Sequence, residues 1–273
     1  MKKTRISNND QGQEDRISSL PDVLLISILS LTDTKLAVQS SILSKRWVNL
    51  WTMIHILNFD SSLHNIGFDT FIDKVFTYGN VSVKIDSVNI KVADHNTIAR
   101  VFHYAMSHSV TKLSIDTCQN LCRYYPITCD NSSNTLMSLT LKGMLNFGRF
   151  PKFDNLVSLR LERVKIIESE LFSCFPNLEE LVLVDFKLPG DLYGLEVISF
   201  RLLRLTISSC YCNFSGHQKL MLLTPKLVFL NLQGLIPVNL EAYEAPLLET
   251  IRIDHCYPVA TMHRRGASRK IMQ

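Results

Sequence analysis

Between residues 54 and 253 the chain repeats one spacing nine times: an apolar residue, two of any kind, a second apolar residue, one of any kind, and a third. Clear copies are Leu136/Leu139/Leu141, Leu156/Leu159/Leu161, Leu178/Leu181/Leu183, Leu202/Leu205/Ile207, Leu227/Leu230/Leu232 and Leu248/Ile251/Ile253. Weaker copies are Ile54/Leu57/Phe59, Ile85/Val88/Ile90 and Val110/Leu113/Ile115. The alternating half of the pattern predicts a short strand with one buried face. A strand that short cannot cover its apolar side alone. Copies recurring every 20 to 31 residues therefore predict parallel stacking into a curved solenoid.

The same pattern assigns faces. The three apolar positions point inward, and so does a slot three residues past the last of them: Cys118, Met144, Val164, Phe186, Cys210, Leu235 and Cys256. Pro176, Pro225 and Pro246 each stand two residues before a first apolar position, where a missing N–H is tolerated. Ile98, Val101, Phe102, Ala105 and Met106 fall at helical spacing and predict a helix on the convex side. Outward positions on the concave sheet are mostly polar. Arg160, Arg204, Phe229 and Arg252 are the expected anchors for a target there, because arginine and exposed aromatics dominate binding hot spots.

Ahead of the repeats, residues 16–51 compress three helical patterns into 36 residues and hold both tryptophans, Trp47 and Trp51. Leu20-Pro21-Asp22 opens a helix, since proline suits the first turn and an acid suits the positive end of the dipole. Val23, Leu24, Leu25, Ile26, Ile28 and Leu29 then cover most of its circumference, so it needs neighbours on more than one side. Asp33 or Thr34 can cap a second helix, and Ser44 a third carrying Trp47, Leu50 and Trp51. About 40 residues make a poor independent core, so the surplus apolar surface points to a partner protein.

Leu20-Pro21, Leu24-Leu25, Ile28-Leu29, Ala37-Val38, Ser41, Leu43-Ser-Lys-Arg-Trp47 and Leu50-Trp51 together resemble the F-box, in its plant form. With the repeats behind it, the chain resembles the plant F-box/LRR-repeat proteins of the F-box/FBD/LRR group, over roughly residues 15–256. The resemblance implies an α+β chain: a three-helix F-box followed by an irregular leucine-rich-repeat solenoid with parallel concave strands. It divides the chain into a polar disordered tail (1–14), the F-box (15–54), the repeats (55–256) and a basic tail (257–273). Longer members continue into an FBD domain, for which this chain shows no counterpart, so a shortened member is expected.

In that family the F-box binds the SKP-type adaptor of an SCF ubiquitin ligase, and through it a cullin. The resemblance implies that Leu20, Pro21, Leu25, Ile28, Leu29, Val38 and Trp47 form or support the docking surface. The chain departs from the family pattern at Thr32-Asp33, where an apolar residue and proline are usual, and at Val23 and Leu36, where acids are common. The Thr32-Asp33 departure is expected to weaken docking. The implied role is substrate recognition for a ligase. The alternative is a protein-binding scaffold outside any ligase, or an inactive truncated paralogue.

Other chemistry finds little support in the residues. Net charge is +4, all of it in the stretch after Tyr257, which argues against a nucleic-acid partner. No apolar run approaches a membrane span. The polar N-terminus lacks the apolar core of a secretory signal, so nucleus and/or cytoplasm is the expected location. Cys210, Cys212 and His217 or His255 lack the paired spacing of a zinc site, and no nucleotide, hydrolase or metalloprotease motif is present. No cofactor, metal or catalytic residue is expected.

Overall fold

The computed structural model describes residues 16–254, apart from 18, 65–66, 81, 93, 118–123, 128–133, 149, 151, 169, 189–193, 212–218, 235–238 and 244. The tails assigned to 1–14 and 257–273 lie outside the described residues, as do Cys118, Cys212, His217, Leu235, His255 and Cys256.

The chain opens with α1 (Asp22–Ser30) and α2 (Thr34–Gln39), then two 3-10 segments, Ser40–Ile42 and Trp47–Met53. Two further helices follow, α3 (Phe68–Tyr78) and α4 (His95–Ser107). The strands, in chain order, are β1 (Ile56–Asp60), β2 (Ser87–Val92), β3 (Lys112–Thr117), β4 (Tyr125–Pro126), β5 (Ser138–Lys142), β6 (Leu145–Phe147), β7 (Ser158–Glu162), β8 (Lys165–Ile166), β9 (Glu180–Lys187), β10 (Gly194–Ile198), β11 (Arg204–Tyr211), β12 (Lys219–Leu223), β13 (Phe229–Gln233), β14 (Asn239–Tyr243) and β15 (Thr250–Asp254).

The concave sheet runs β1-β2-β3-β5-β7-β9-β11-β13-β15, parallel throughout. Its register follows the sequence repeat without a slip. Leu57, Val88, Leu113, Leu139, Leu159, Leu181, Leu205, Leu230 and Ile251 line up as successive partners. A one-residue slip would turn every one of these side chains outward, and that penalty fixes the register. The fold is the expected solenoid after an N-terminal helical region.

Pro176, Pro225 and Pro246 serve the stacking from outside the strands. Each occupies the second position of a turn closed by Leu178 N–H to Phe175 C=O, Leu227 N–H to Thr224 C=O, or Leu248 N–H to Ala245 C=O. Proline's fixed φ suits that position.

The convex side differs from one end to the other. Early repeats return through α3 and α4. In α4, Ile98, Val101, Phe102 and Ala105 are buried and Met106 is partly buried, as their spacing predicts. Later repeats return through strands instead: β4 pairs with β6, β6 with β8, and β10-β12-β14 form a second parallel sheet. Leu195 and Val197, with Leu220 and Leu222, bury the alternate positions of that sheet against the core.

Two expectations need correction. The third helix of the N-terminal module is a 3-10 segment, in which residues three apart eclipse; this places Trp47 and Leu50 together in the core. Met144 does not fill an inward slot. Val164, Phe186 and Cys210 do, each after a residue at positive φ, namely Arg163 (58°), Asp185 (50°) and Ser209 (52°). That left-handed residue breaks the strand alternation and turns its successor inward. In the Met144 repeat the preceding residue is Gly143, at φ 105°. There the alternation continues unbroken, so Leu145 is buried and Met144 is only half-buried.

One hydrophobic core runs through both parts, from Leu25 and Trp47 to Leu230 and Leu232. No described helix is long and apolar enough to cross a membrane.

Candidate protein-binding surfaces

The N-terminal module spends one side of its helices on the solenoid. Leu25, Leu29, Ala37, Trp47 and Leu50 are buried in the shared core. Hydrogen bonds then join the module to β1, whose outer edge would otherwise present unpaired groups. Asp33 Oδ1 caps α2 by accepting from Lys35 N–H at 2.8 Å, and its Oδ2 accepts from Asp60 N–H at 3.0 Å. Thr34 Oγ1 accepts from Asn58 N–H at 2.9 Å. The Asn58 side-chain amide donates to the carbonyls of Ser30 and Thr32, both at 3.0 Å, and accepts from Asn89 at 2.8 Å. Arg46 clamps the start of α1 through Asp22, with N···O 2.6 Å, and the Leu20 carbonyl.

The N-terminal module is therefore the end cap of the solenoid. The Thr32-Asp33 departure acquires an internal use, because the carboxylate holds α2 and β1 together. Asp33→Ala is expected to lower unfolding free energy by about 2–3 kcal/mol, since it removes a helix cap and leaves Asp60 N–H unpaired. Asp33→Asn keeps one acceptor oxygen and turns an amide N–H toward the other donor, so it should recover only part of that loss in denaturant melts. Equal stability of the alanine variant and the wild type would contradict the capping role.

With that side used, the opposite side is apolar and uncovered. Leu24 and Ile28 on α1 and Leu31 at its C-cap form a stripe at i, i+4, i+7, with exposures of 49%, 47% and 82%. Val23, Leu36, Ile42, Leu43 and Val48 are exposed as well, which makes eight large apolar side chains within residues 23–48. The seven residues expected to form or support a docking surface divide accordingly. Pro21 and Ile28 are exposed, and Leu20 and Val38 are half-buried. Leu25, Leu29 and Trp47 are core and reach a partner only by shaping the surface above them. Leu24, Leu31, Leu36, Ile42 and Leu43, outside that expected set, are exposed on the same module.

The concave sheet supplies a second surface, and its two halves differ. From β1 to β7 most of the charges are paired. Lys91 meets Asp60 at 3.4 Å, Arg163 meets Asp116 at 3.9 Å, and Glu162 receives Lys142 at 3.8 Å and Arg160 at 3.2 Å. Burial works to raise the Asp60 carboxyl, but hydrogen bonds from Ser62 and the nearby Lys91 ammonium hold it below the ordinary carboxylate range. Arg160, one of the expected anchors, is thus engaged within its own strand. A cleft of about 350 Å³, lined by Leu31, Asp33, Asn58, Asp60, Lys91 and Asp116 among others, lies where this half meets the N-terminal module.

From β9 to β15 the face carries Val182, Val184 and Phe229, all half-buried. Arg204 lies beside Phe229 in the register, and Arg252 stacks over the Phe229 ring with its guanidinium carbon 5.6 Å from the centroid. Three of the four expected anchors therefore gather at one place and Arg160 stands apart.

Comparison with known proteins agrees with this arrangement. An F-box/FBD/LRR-repeat protein of Arabidopsis thaliana is 30% identical over 252 residues, covering 84% of this chain and 56% of that protein. An Arabidopsis F-box protein is 28% identical over 261 residues, covering 82% of this chain and 55% of that protein. An Arabidopsis F-box/LRR-repeat protein is 29% identical over 274 residues, covering 89% of this chain and 45% of that protein. The chain spans about half the length of the curated relatives it matches. No protein-family profile and no solved structure matches it. With a helical module capping a parallel leucine-repeat solenoid and this similarity over most of its length, the chain is a homologue of the plant F-box/LRR-repeat proteins.

Proposed function

We propose that the chain is a substrate-recognition subunit of an SCF-type ubiquitin ligase. The F-box docks an SKP-type adaptor, and through it a cullin, while the concave face of the solenoid holds a target protein. The observation that carries this reading is the two-sided box: one side is buried against β1, and eight large apolar side chains remain exposed on a module of about 40 residues. Surface of that kind marks a protein interface.

In this reading the chain performs no chemistry. It raises the local concentration of the target near the ubiquitin-loaded enzyme, which converts a bimolecular encounter into an effectively intramolecular one. The bonds from Asp33, Thr34 and Asn58 to β1 and α1 suit that task, because they hold the two surfaces in a fixed relation.

Assembly with purified adaptor and cullin, read by size exclusion with light scattering, tests the proposal. A complex of one copy each is expected. A folded chain that recruits neither protein would favour the scaffold reading.

A further inference from the structure

The concave face offers one place where an aromatic ring lies between two guanidinium groups. Phe229 on β13 is the register partner of Arg204 on β11, and on its other side Arg252 of β15 stacks over its ring. Among the described residues neither arginine makes an ion pair. Glu180, the register neighbour of Arg204 on β9, is turned to Ser158, whose hydroxyl donates to it at 3.2 Å. Val182 and Val184 lie on the same face two strands away, on β9. Between Phe229 and Gln233, Asn231 keeps a buried Oδ1 that accepts no hydrogen bond from the described residues. The other half, β1 to β7, shows the contrast, since Lys91, Lys142, Arg160 and Arg163 already meet carboxylates.

Resting on the reading of the concave face as the target site, we infer that this cluster captures an extended peptide segment of the target, in which an apolar side chain is flanked by two carboxylates. The apolar side chain packs on Phe229, and the carboxylates meet Arg204 and Arg252. A donor group of the segment can satisfy Asn231. Charge complementarity selects this occupant over a nucleic acid. Glu180, beside Arg204 in the register, would repel a continuous polyanion, whereas isolated carboxylates avoid it.

The geometry also sets a spacing. The two arginines are two strands apart and offset by two residues along the strand, a separation of about 12 Å at strand spacings of about 4.8 Å and rises of about 3.3 Å. An extended peptide covers that distance in three to four residues. The preferred segment is thus acid, two or three residues including a large apolar one, then acid.

Selection of a random displayed peptide library on the full chain tests the inference. Enrichment of segments with that pattern is expected, and the double variant Arg204→Glu/Arg252→Glu is expected to bind them at least tenfold more weakly. Peptides carrying lysine in place of both acids should regain binding to the reversed variant. Both arginines are exposed, so the variant should melt with the wild type and keep its binding to an SKP-type adaptor. Enriched peptides of basic or uncharged character that Val182→Arg displaces would overturn the acidic pattern and leave the concave site standing. Binding that no concave substitution alters, or no enrichment at all, would overturn both the pattern and the concave site.

Discussion

Gly143→Ala is expected to destabilise the solenoid by about 3 kcal/mol or more, the largest effect of a glycine-to-alanine change among the described residues. Two independent causes combine. Gly143 sits at φ 105°, outside the region open to an L side chain. A Cβ built there falls 1.9 Å from Thr117 Oγ1 and 2.6 Å from the Thr117 carbonyl. Thr117 cannot swing away cheaply: it is buried, and its hydroxyl donates to Lys142 C=O at 3.3 Å and accepts from Met144 N–H at 3.1 Å. Gly67 is the control. Its φ is 78°, but a Cβ there meets nothing within 4 Å, so Gly67→Ala should cost only about 1 kcal/mol from backbone strain. Urea melts of the two variants beside the wild type read the difference. Equal losses would show that the contact with Thr117 is relieved by movement of β3.

The second large effect separates docking from folding. Leu24→Asp with Ile28→Asp is expected to weaken adaptor binding at least 100-fold, about 3 kcal/mol, with the melting curve unchanged. Both side chains are about half exposed, and neither belongs to the shared core. Leu25→Ala should do the reverse at first. It opens a cavity under a fully buried side chain and costs about 2–5 kcal/mol of stability, and its effect on binding follows from loss of the folded box. Calorimetric titration with purified adaptor, run beside thermal melts, distinguishes the two classes. Adaptor binding by the double aspartate variant at wild-type strength would move the docking surface off α1.

The solenoid was legible because its signal is redundant. Nine copies of one spacing each specify the same register, and even the weak copies at Leu57, Val88 and Leu113 take their expected places. Helix α3 is equally written, in Phe68, Phe71, Ile72, Val75 and Phe76 at helical spacing, between two weak repeats. The convex strands were not legible, since Leu195/Val197 and Leu220/Leu222 are single alternations too short to tell from loop. The limits at the sites are of another kind. A helix apolar on all sides does not say which side is spent within its own chain; only the position of β1 shows that Leu25 and Leu29 are core and Leu24 and Ile28 are surface. Likewise, the cap of Asp33 on Lys35 is local and readable, whereas its bond to Asp60, 27 residues away, depends on the assembled fold. Arg160 differs from Arg204 for a local reason: Glu162 stands two residues on, on the same face of β7, and pairs with it, whereas Thr206 holds that place after Arg204.

Titration of a purified SKP-type adaptor into the full chain is the most direct test of the central claim. A two-sided box already organised by the solenoid predicts a one-to-one complex with a Kd of about 1 µM or tighter. A chain that melts cooperatively yet gives no binding signal with tens of micromolar adaptor would contradict it, and the exposed apolar face would then belong to another partner.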